Sequence, residues 1–180
     1  MKRGAVLLNI AVASLLGGCG LQPMYAGGGS GAVARGLAGV DVPTIEGQAG
    51  WLVRNALRDR LGAAGKAAPR YRLDVRLDDR LEGLGLLSDD TVGRERRTLR
   101  ARYQLVDSAT GRILLDASAG ADAGIDVVSS EYATIAAEQT ALENLSREVA
   151  DRIVTSLALT LRDGLTSRDV GSDRGTTAKP

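Results

Sequence analysis

Apolar and polar positions alternate along this chain with two distinct periods. Between about Gln48 and Leu61, the residues Trp51, Leu52, Val53, Ala56, Leu57, Arg60 and Leu61 recur at helical spacing, and Arg54, Arg58 and Asp59 take the opposite side. That spacing predicts a helix, stopped by Gly62 and Gly65 with Pro69 beyond. From Tyr71 the period changes to two: Tyr71, Leu73, Val75 and Leu77 alternate with Arg72, Asp74, Arg76 and Asp78, as in a strand with one wet face. Residues 82–93 read as a loop. A second alternating run follows, with Leu99, Ala101, Tyr103 and Leu105 set against Thr98, Arg100, Arg102 and Gln104. Asp107 to Gly111 has turn chemistry, and Ile113 to about Asp122 can return as a hairpin partner.

The longest periodic segment runs from Glu131 to Arg162. Ile135, Leu142, Leu145, Val149, Ile153, Leu157 and Leu161 trace one stripe, with Ser129 or Ser130 as cap and Glu131 in the first turn. Unbroken, this helix would be about 48 Å long and would outrun the strands, so both a continuous and a broken helix fit the pattern. Leu37 to Val42 is a further short strand, ended by Pro43. The order is strand, helix, three strands, helix. Two amphipathic helices and four one-faced strands are satisfied by a two-layer α+β sandwich. Both helices then lie on one face of a mainly antiparallel four-stranded sheet, and the other face stays polar. Trp51, beside Leu52 and Val53, is expected in the core; Tyr132 could face core or partner.

The ends of the chain have a different character. Met1-Lys2-Arg3 precedes the apolar run Ala5 to Leu16, which closes on Leu16-Gly17-Gly18-Cys19. Basic start, apolar centre and small-residue end form a secretory signal peptide, and the run is too short to span a bilayer. The Leu-x-Gly-Cys ending resembles the lipobox of bacterial lipoproteins, which implies that the Cys19 thiol receives a diacylglyceryl group and that cleavage precedes it. The expected organisation is a signal peptide over 1–18, a lipidated tether over 19–36, a domain over 37–163 and a disordered tail over 164–180. Gly27 to Gly31 supplies the tether composition. Gly29-x-Gly31-x-x-Ala34 matches a nucleotide loop only on paper, because no strand precedes it.

Composition narrows the chemistry. Removing the leader from the 180 residues leaves 162, with near-neutral charge, which argues against a nucleic-acid binder. There is no histidine, and Cys19 is the single cysteine. Ser-His-Asp and Cys-His nucleophiles are therefore excluded, as are zinc sites built on His or Cys. Asp79, Asp89, Asp90 and the serines remain, but no carboxylate pair stands in a recognisable catalytic motif. The expectation is no enzyme activity, no metal and no cofactor beyond the covalent lipid on Cys19. Phenylalanine is also absent, so the core must be built from Leu, Val, Ile and Ala.

Three features together resemble the LPS-assembly lipoprotein family LptE. Cys19-Gly20-Leu21-Gln22-Pro23-Met24-Tyr25 is similar to the Cys-Gly-aromatic-x-Pro-Leu-Tyr start of many members, with Leu21 departing from the aromatic. Val53-Arg54-Asn55-Ala56-Leu57-Arg58 resembles the first helix of the family, and the element order covers the rest. The resemblance implies a lipid-anchored outer-membrane protein that plugs and helps assemble the β-barrel LptD and binds lipopolysaccharide. A periplasmic lipoprotein serving a lipid-exporting ABC transporter is the alternative with the same layout.

The alternating strands supply candidate binding residues. Arg94, Arg96, Arg100 and Arg102 share one parity and hence one strand face, and Arg97 belongs to the same basic run. Arg72, Arg76 and Arg80 point outward by parity on the neighbouring strand. Planar guanidinium groups can each bind two phosphate oxygens. Cross-strand pairing with Asp74 and Asp78 on a solvated face would explain the same pattern without a ligand.

Overall fold

The computed structural model describes residues 31–62, 69–86 and 92–173. The expected signal peptide, Cys19, the Gly27–Ser30 part of the expected tether, Gly65, Asp89, Asp90 and residues 174–180 lie outside the described residues. The described elements are α1 (Ala32–Ala38), β1 (Val40–Asp41), α2 (Gly47–Leu61), β2 (Tyr71–Leu86), β3 (Val92–Asp107), β4 (Ile113–Asp126) and α3 (Glu131–Asp173). The sheet order is β1-β2-β3-β4. β2, β3 and β4 pair antiparallel, while β1 runs parallel to β2 through Val40 and Asp41 against Tyr71 and Arg72. The helices cover one face, so the two-layer α+β sandwich holds, with a mixed rather than purely antiparallel sheet.

The core follows the two periods. Val53, Leu57 and Leu61 of α2 meet Leu73 of β2, Leu99 and Leu105 of β3, and Leu142, Val149, Ile153 and Leu157 of α3. Most of these are fully buried. Each large aliphatic side chain removed from water contributes about 1.5–3 kcal/mol, and with no phenylalanine the count of such residues replaces their size. Tyr71 and Tyr103 supply the aromatic share of the core. Trp51 does not: it is 64% exposed, because α2 turns Ala49, Gly50 and Val53 inward and leaves position 51 on the flank. Gly50 is needed there, since a Cβ would stand 2.5 Å from the Ile45 carbonyl oxygen. Arg54, expected on the outer side, bends back so that its Nε donates to the carbonyls of Val42 and Pro43.

Several boundaries differ from the expectation. Leu37 is not in a strand but is the buried residue of α1, and only Val40–Asp41 pair. The segment expected as tether is therefore helical from Ala32, with Gly36 packed on Leu161. Its glycines hid a single apolar turn, Val33 and Leu37, that the core recruits. β2 and β3 continue into the expected loop as far as Leu86 paired with Val92. Main-chain hydrogen bonds hold this extension, and β4 flanks it as far as Arg94 paired with Asp126.

That extension removes the reason for breaking the last helix. Strands of sixteen residues reach about 53 Å, and α3 is one continuous helix of 43 residues, about 64 Å long, running through Asp173. Ser130 caps it, its Oγ accepting from the Ala133 N–H at 3.4 Å. Ile135 begins the stripe in exposed surroundings; Thr134 is buried beside it, and the apolar stripe is buried from Ala141 onward. The β3–β4 turn forms as its residues suggest: the Asp107 carboxylate accepts from Ala109 N, Thr110 N and Thr110 Oγ1, and Gly111 adopts φ +71°. At the end of α2, Gly62 takes the left-handed conformation that closes the helix.

An ion pair joins the two main helices. Arg60 of α2 holds Asp151 of α3 with two hydrogen bonds and also donates to the Ala56 carbonyl. The hydrogen bond from Arg60 holds the Asp151 carboxyl below its ordinary pKa, against the opposing effect of burial. A carboxyl depressed in the folded state stabilises the fold above its unfolded pKa, and this contribution is lost as pH falls through the folded value. Asp151 is 60% exposed, so solvent limits the pair to below about 1 kcal/mol. Asp151→Asn should therefore shave a small increment from the melting temperature at neutral pH and none in acid. An equal loss at both pH values would show that the pair does not couple the helices.

Candidate functional site

The face of the sheet turned away from the helices carries the arginines. On β3, Arg94, Arg96, Arg100 and Arg102 are all exposed on this face, as their parity requires. Across the sheet, Arg76 stands beside Arg102 and Ser118, Asp78 beside Arg100 and Gly120, and Glu82 beside Arg96 and Gly124. Arg97 belongs to the other face. Its side chain is only 15% exposed, and the guanidinium forms a two-pronged pair with Asp79 at 2.9 and 2.7 Å and donates to the Glu138 carbonyl of α3 at 3.2 Å. The Asp79 hydrogen bond raises the Arg97 pKa further, and its role is to fasten α3 to the sheet.

The expected pairing with Asp74 and Asp78 takes another form. These two aspartates bind arginines of their own strand, Arg72 at 2.9 Å and Arg80 at 2.9 Å. The β3 arginines pair instead with β4: Arg94 with Asp126 at 3.1 Å, Arg100 with Asp122 at 3.5 Å, and Arg102 with Asp116 at 3.2 Å. The side chains of all three arginines are at least 60% exposed, so each pair is weak and open to exchange. Gln104 and then Arg102 hold the Asp116 carboxyl below its ordinary pKa. Among the described residues Arg76 and Arg96 make no ion pair.

The small residues of β4 shape this face. Gly120 lies under the Arg100 side chain, and a Cβ there would fall 2.5 Å from Arg100 Cδ. Without it, the Arg100 guanidinium could not lie flat across the edge strand. A shallow cavity of about 790 Å³ results, bounded by Arg76, Asp78, Arg100, Arg102, Ser118 and Gly120, with Arg152 and Ser156 of α3 at its margin. Arg152 donates to the Gly120 carbonyl and pairs with Glu148 at 2.6 Å. Of the arginines expected from the sequence, Arg100 and Arg102 line this cavity. Arg94 and Arg96 share the face but do not line it. Arg152 had no sequence signal, since its arrival depends on how α3 packs; Arg76 was readable by parity alone.

The arrangement gathers guanidinium groups around one acidic side chain, Asp78, with hydroxyl and main-chain groups at the floor. This chemistry binds anions with several oxygens, phosphates above all. Among the described residues no group of three acidic or other metal-ligating side chains comes together, and no helix is long and apolar enough to cross a membrane.

The helices and this sheet define a small α+β domain of a kind seen in several solved structures of lipoproteins. A protein of Caulobacter crescentus described as a lipoprotein matches over 74% of this chain and 98% of its own, with 26% identity and a TM-score of 0.62. Rare lipoprotein B of Shewanella oneidensis matches over 69% and 95%, at 14% identity and TM-score 0.52. Lipoprotein B of Nitrosomonas europaea matches over 71% and 85%, at 14% identity and TM-score 0.53. The last two share the fold alone. No curated protein matches the chain. The sequence model of the LptE lipopolysaccharide-assembly family matches residues 37–157, and the chain belongs to that family. It is thus a lipopolysaccharide-assembly lipoprotein, not an enzyme, of a family with no known cofactor.

Proposed function

We propose that the protein is anchored in the outer membrane through acylated Cys19, seats in the LptD barrel as plug and assembly factor, and holds lipopolysaccharide phosphates on its outer sheet face during delivery. The observation that carries the binding part is the cavity bounded by Arg76, Arg100, Arg102 and Arg152, in which the paired arginines are held only loosely. A phosphate can displace a solvent-exposed aspartate from such a pair, because it offers more oxygens and more charge. Family membership supports the partner and the compartment. Acylation at Cys19 supports retention at the membrane, since each buried CH₂ adds about 0.8 kcal/mol.

The experiment joins two measurements. Purification of the lipidated protein from its membrane should bring a β-barrel with it. In parallel, Arg100→Gln with Arg102→Gln should weaken lipopolysaccharide binding at least tenfold at low salt, about 1.4 kcal/mol, with an unchanged thermal transition. Recovery of an inner-membrane ATPase complex in place of a barrel would favour the transporter alternative. Equal affinity of parent and double variant would reduce the arginines to a solvated, salt-paired face.

A further inference from the structure

A second basic cavity lies at the end of the sheet where β2 begins, away from the outer sheet face. It encloses about 730 Å³ where α1, the start of β2, the start of β4 and the last buried turn of α3 meet. Arg35, Arg70 and Arg112 line it together with Tyr71, Leu114 and Leu161. The three arginines come from separate segments of the chain, so only the fold brings them together. Arg70 lies 5.3 Å from the centre of the Tyr71 ring, which steadies its guanidinium at the cavity. Arg70 and Arg112 have exposed side chains and make no ion pair among the described residues.

Nearby acids have partners of their own. Hydrogen bonds from Thr110 and Ala109 hold the Asp107 carboxyl below its ordinary pKa, and the Arg70 charge adds to this from a distance. Asp163, which also lines the cavity, pairs with Arg162 at 3.3 Å. The cavity therefore presents the Arg70 and Arg112 guanidinium groups beside an apolar wall of Leu114 and Leu161, the latter 7% exposed. A phosphodiester with a short apolar stem fits both surfaces, whereas a bare anion would leave the wall unused.

We propose that this cavity binds the headgroup of an anionic phospholipid in the leaflet that holds the protein's own anchor. Position supports this occupant, and that placement rests on acylation at Cys19. Ala32 lines the cavity, and only eleven residues separate Cys19 from Gly31. Whatever their conformation, the twelve steps from Cys19 to Gly31 span at most about 43 Å. The cavity is thus tied to the lipid surface, while the arginines of the outer sheet face form a separate site.

The test uses the full mature chain carrying Cys19→Ser, so that binding does not depend on acylation. Flotation with phosphatidylglycerol vesicles should capture the parent, and phosphatidylcholine vesicles should not. Arg70→Gln with Arg112→Gln should weaken the phosphatidylglycerol interaction about twenty-fivefold, at roughly fivefold for each arginine lost near an anionic surface. Circular dichroism of the variant should match the parent. Arg100→Gln with Arg102→Gln should leave vesicle binding intact. The proposal is overturned by equal capture on both lipids, by parental binding of the Arg70/Arg112 variant, or by loss in the Arg100/Arg102 variant. Displacement from vesicles by millimolar inorganic phosphate would assign the cavity to free phosphate and likewise overturn the lipid assignment. Acylation of Cys19 is read separately, by the mass of protein extracted from membranes.

Discussion

Val149→Asp is expected to abolish the folded domain. Val149 is fully buried at the centre of α3, and its helical neighbours Leu145, Ile153 and Ala150 are buried with it. A carboxylate there has no cation within the core to pair with, and the neutral acid would still leave its oxygens without partners. Such substitutions cost more than about 4 kcal/mol, while a domain of this size has roughly 5–15 kcal/mol to lose. The cost falls on the one helix that touches β3, β4 and both other helices, so no part of the fold is insulated from it. Circular dichroism during heating provides the readout: the parent should show a cooperative transition, and the variant should show none. Val149→Ala should retain the transition at a cost of about 2 kcal/mol, as a cavity without a charge would. A Val149→Asp protein melting within a few degrees of the parent would show that α3 does not pack against the sheet in this way.

Arg97→Ala should be the most destabilising arginine substitution on β3. The guanidinium links Asp79 of β2 to the main chain of α3, and its removal strands a carboxylate that is only 25% exposed. Breaking a fully buried pair costs about 3–5 kcal/mol, and partial solvent access at Asp79 brings the expected loss nearer 2 kcal/mol. The melting temperature should fall by roughly 5–10 °C. Arg94→Ala, three residues away on the opposite face and 66% exposed, should change it by less than about 2 °C. Lipopolysaccharide binding should follow the reverse order from stability, with Arg97→Ala near parental at a temperature where it is folded. Similar melting temperatures for the two variants would mean that the Arg97–Asp79 pair carries no more weight than an exposed one.

The contrast between Arg97 and its neighbours shows where sequence reading succeeded and where it stopped. Parity alone separates residue 97 from residues 94, 96, 100 and 102. A run of like charge obscured that separation, because basic residues are expected on wet faces and Arg97 is not on one. The central strands and α2 were legible because their apolar positions repeat many times, which leaves no competing register. The buried stripe of α3 was legible from Leu142 to Leu161 for the same reason. α1 was not, since seven residues with one buried leucine produce no period against a glycine-rich background. The long hairpin was missed because Gly83 and Gly85 weaken strand propensity, whereas main-chain pairing overrides it.

The candidate site was legible to a smaller extent. Which arginines share a face is a local property and could be read directly. Which acids answer them is not: the aspartates of β4 became partners only once β3 and β4 aligned Arg94 with Asp126 and Thr98 with Asp122. Arg152 reaches Gly120 from a helix in the other layer, across 32 positions of sequence. Trp51 failed as a core residue because a hydrophobic neighbourhood in sequence does not fix a direction around a helix. Its exposure follows from the small residues Ala49 and Gly50, which bring that side of α2 close to the rest of the fold.

The edge strand β4 has a consequence for whatever touches that flank. From Ala117 to Gly124 its side chains are alanine, serine, glycine and one aspartate. Alanine and glycine have no rotamers to surrender, and serine has few, whereas a lysine, arginine or glutamate margin would forfeit up to about 2 kcal/mol per immobilised side chain. Along this strand the margin is therefore bare of long side chains of its own, and the arginines that reach it, Arg100 and Arg152, come from β3 and α3. Enclosing that margin in a tight space freezes almost no motion of the side chains of β4 itself.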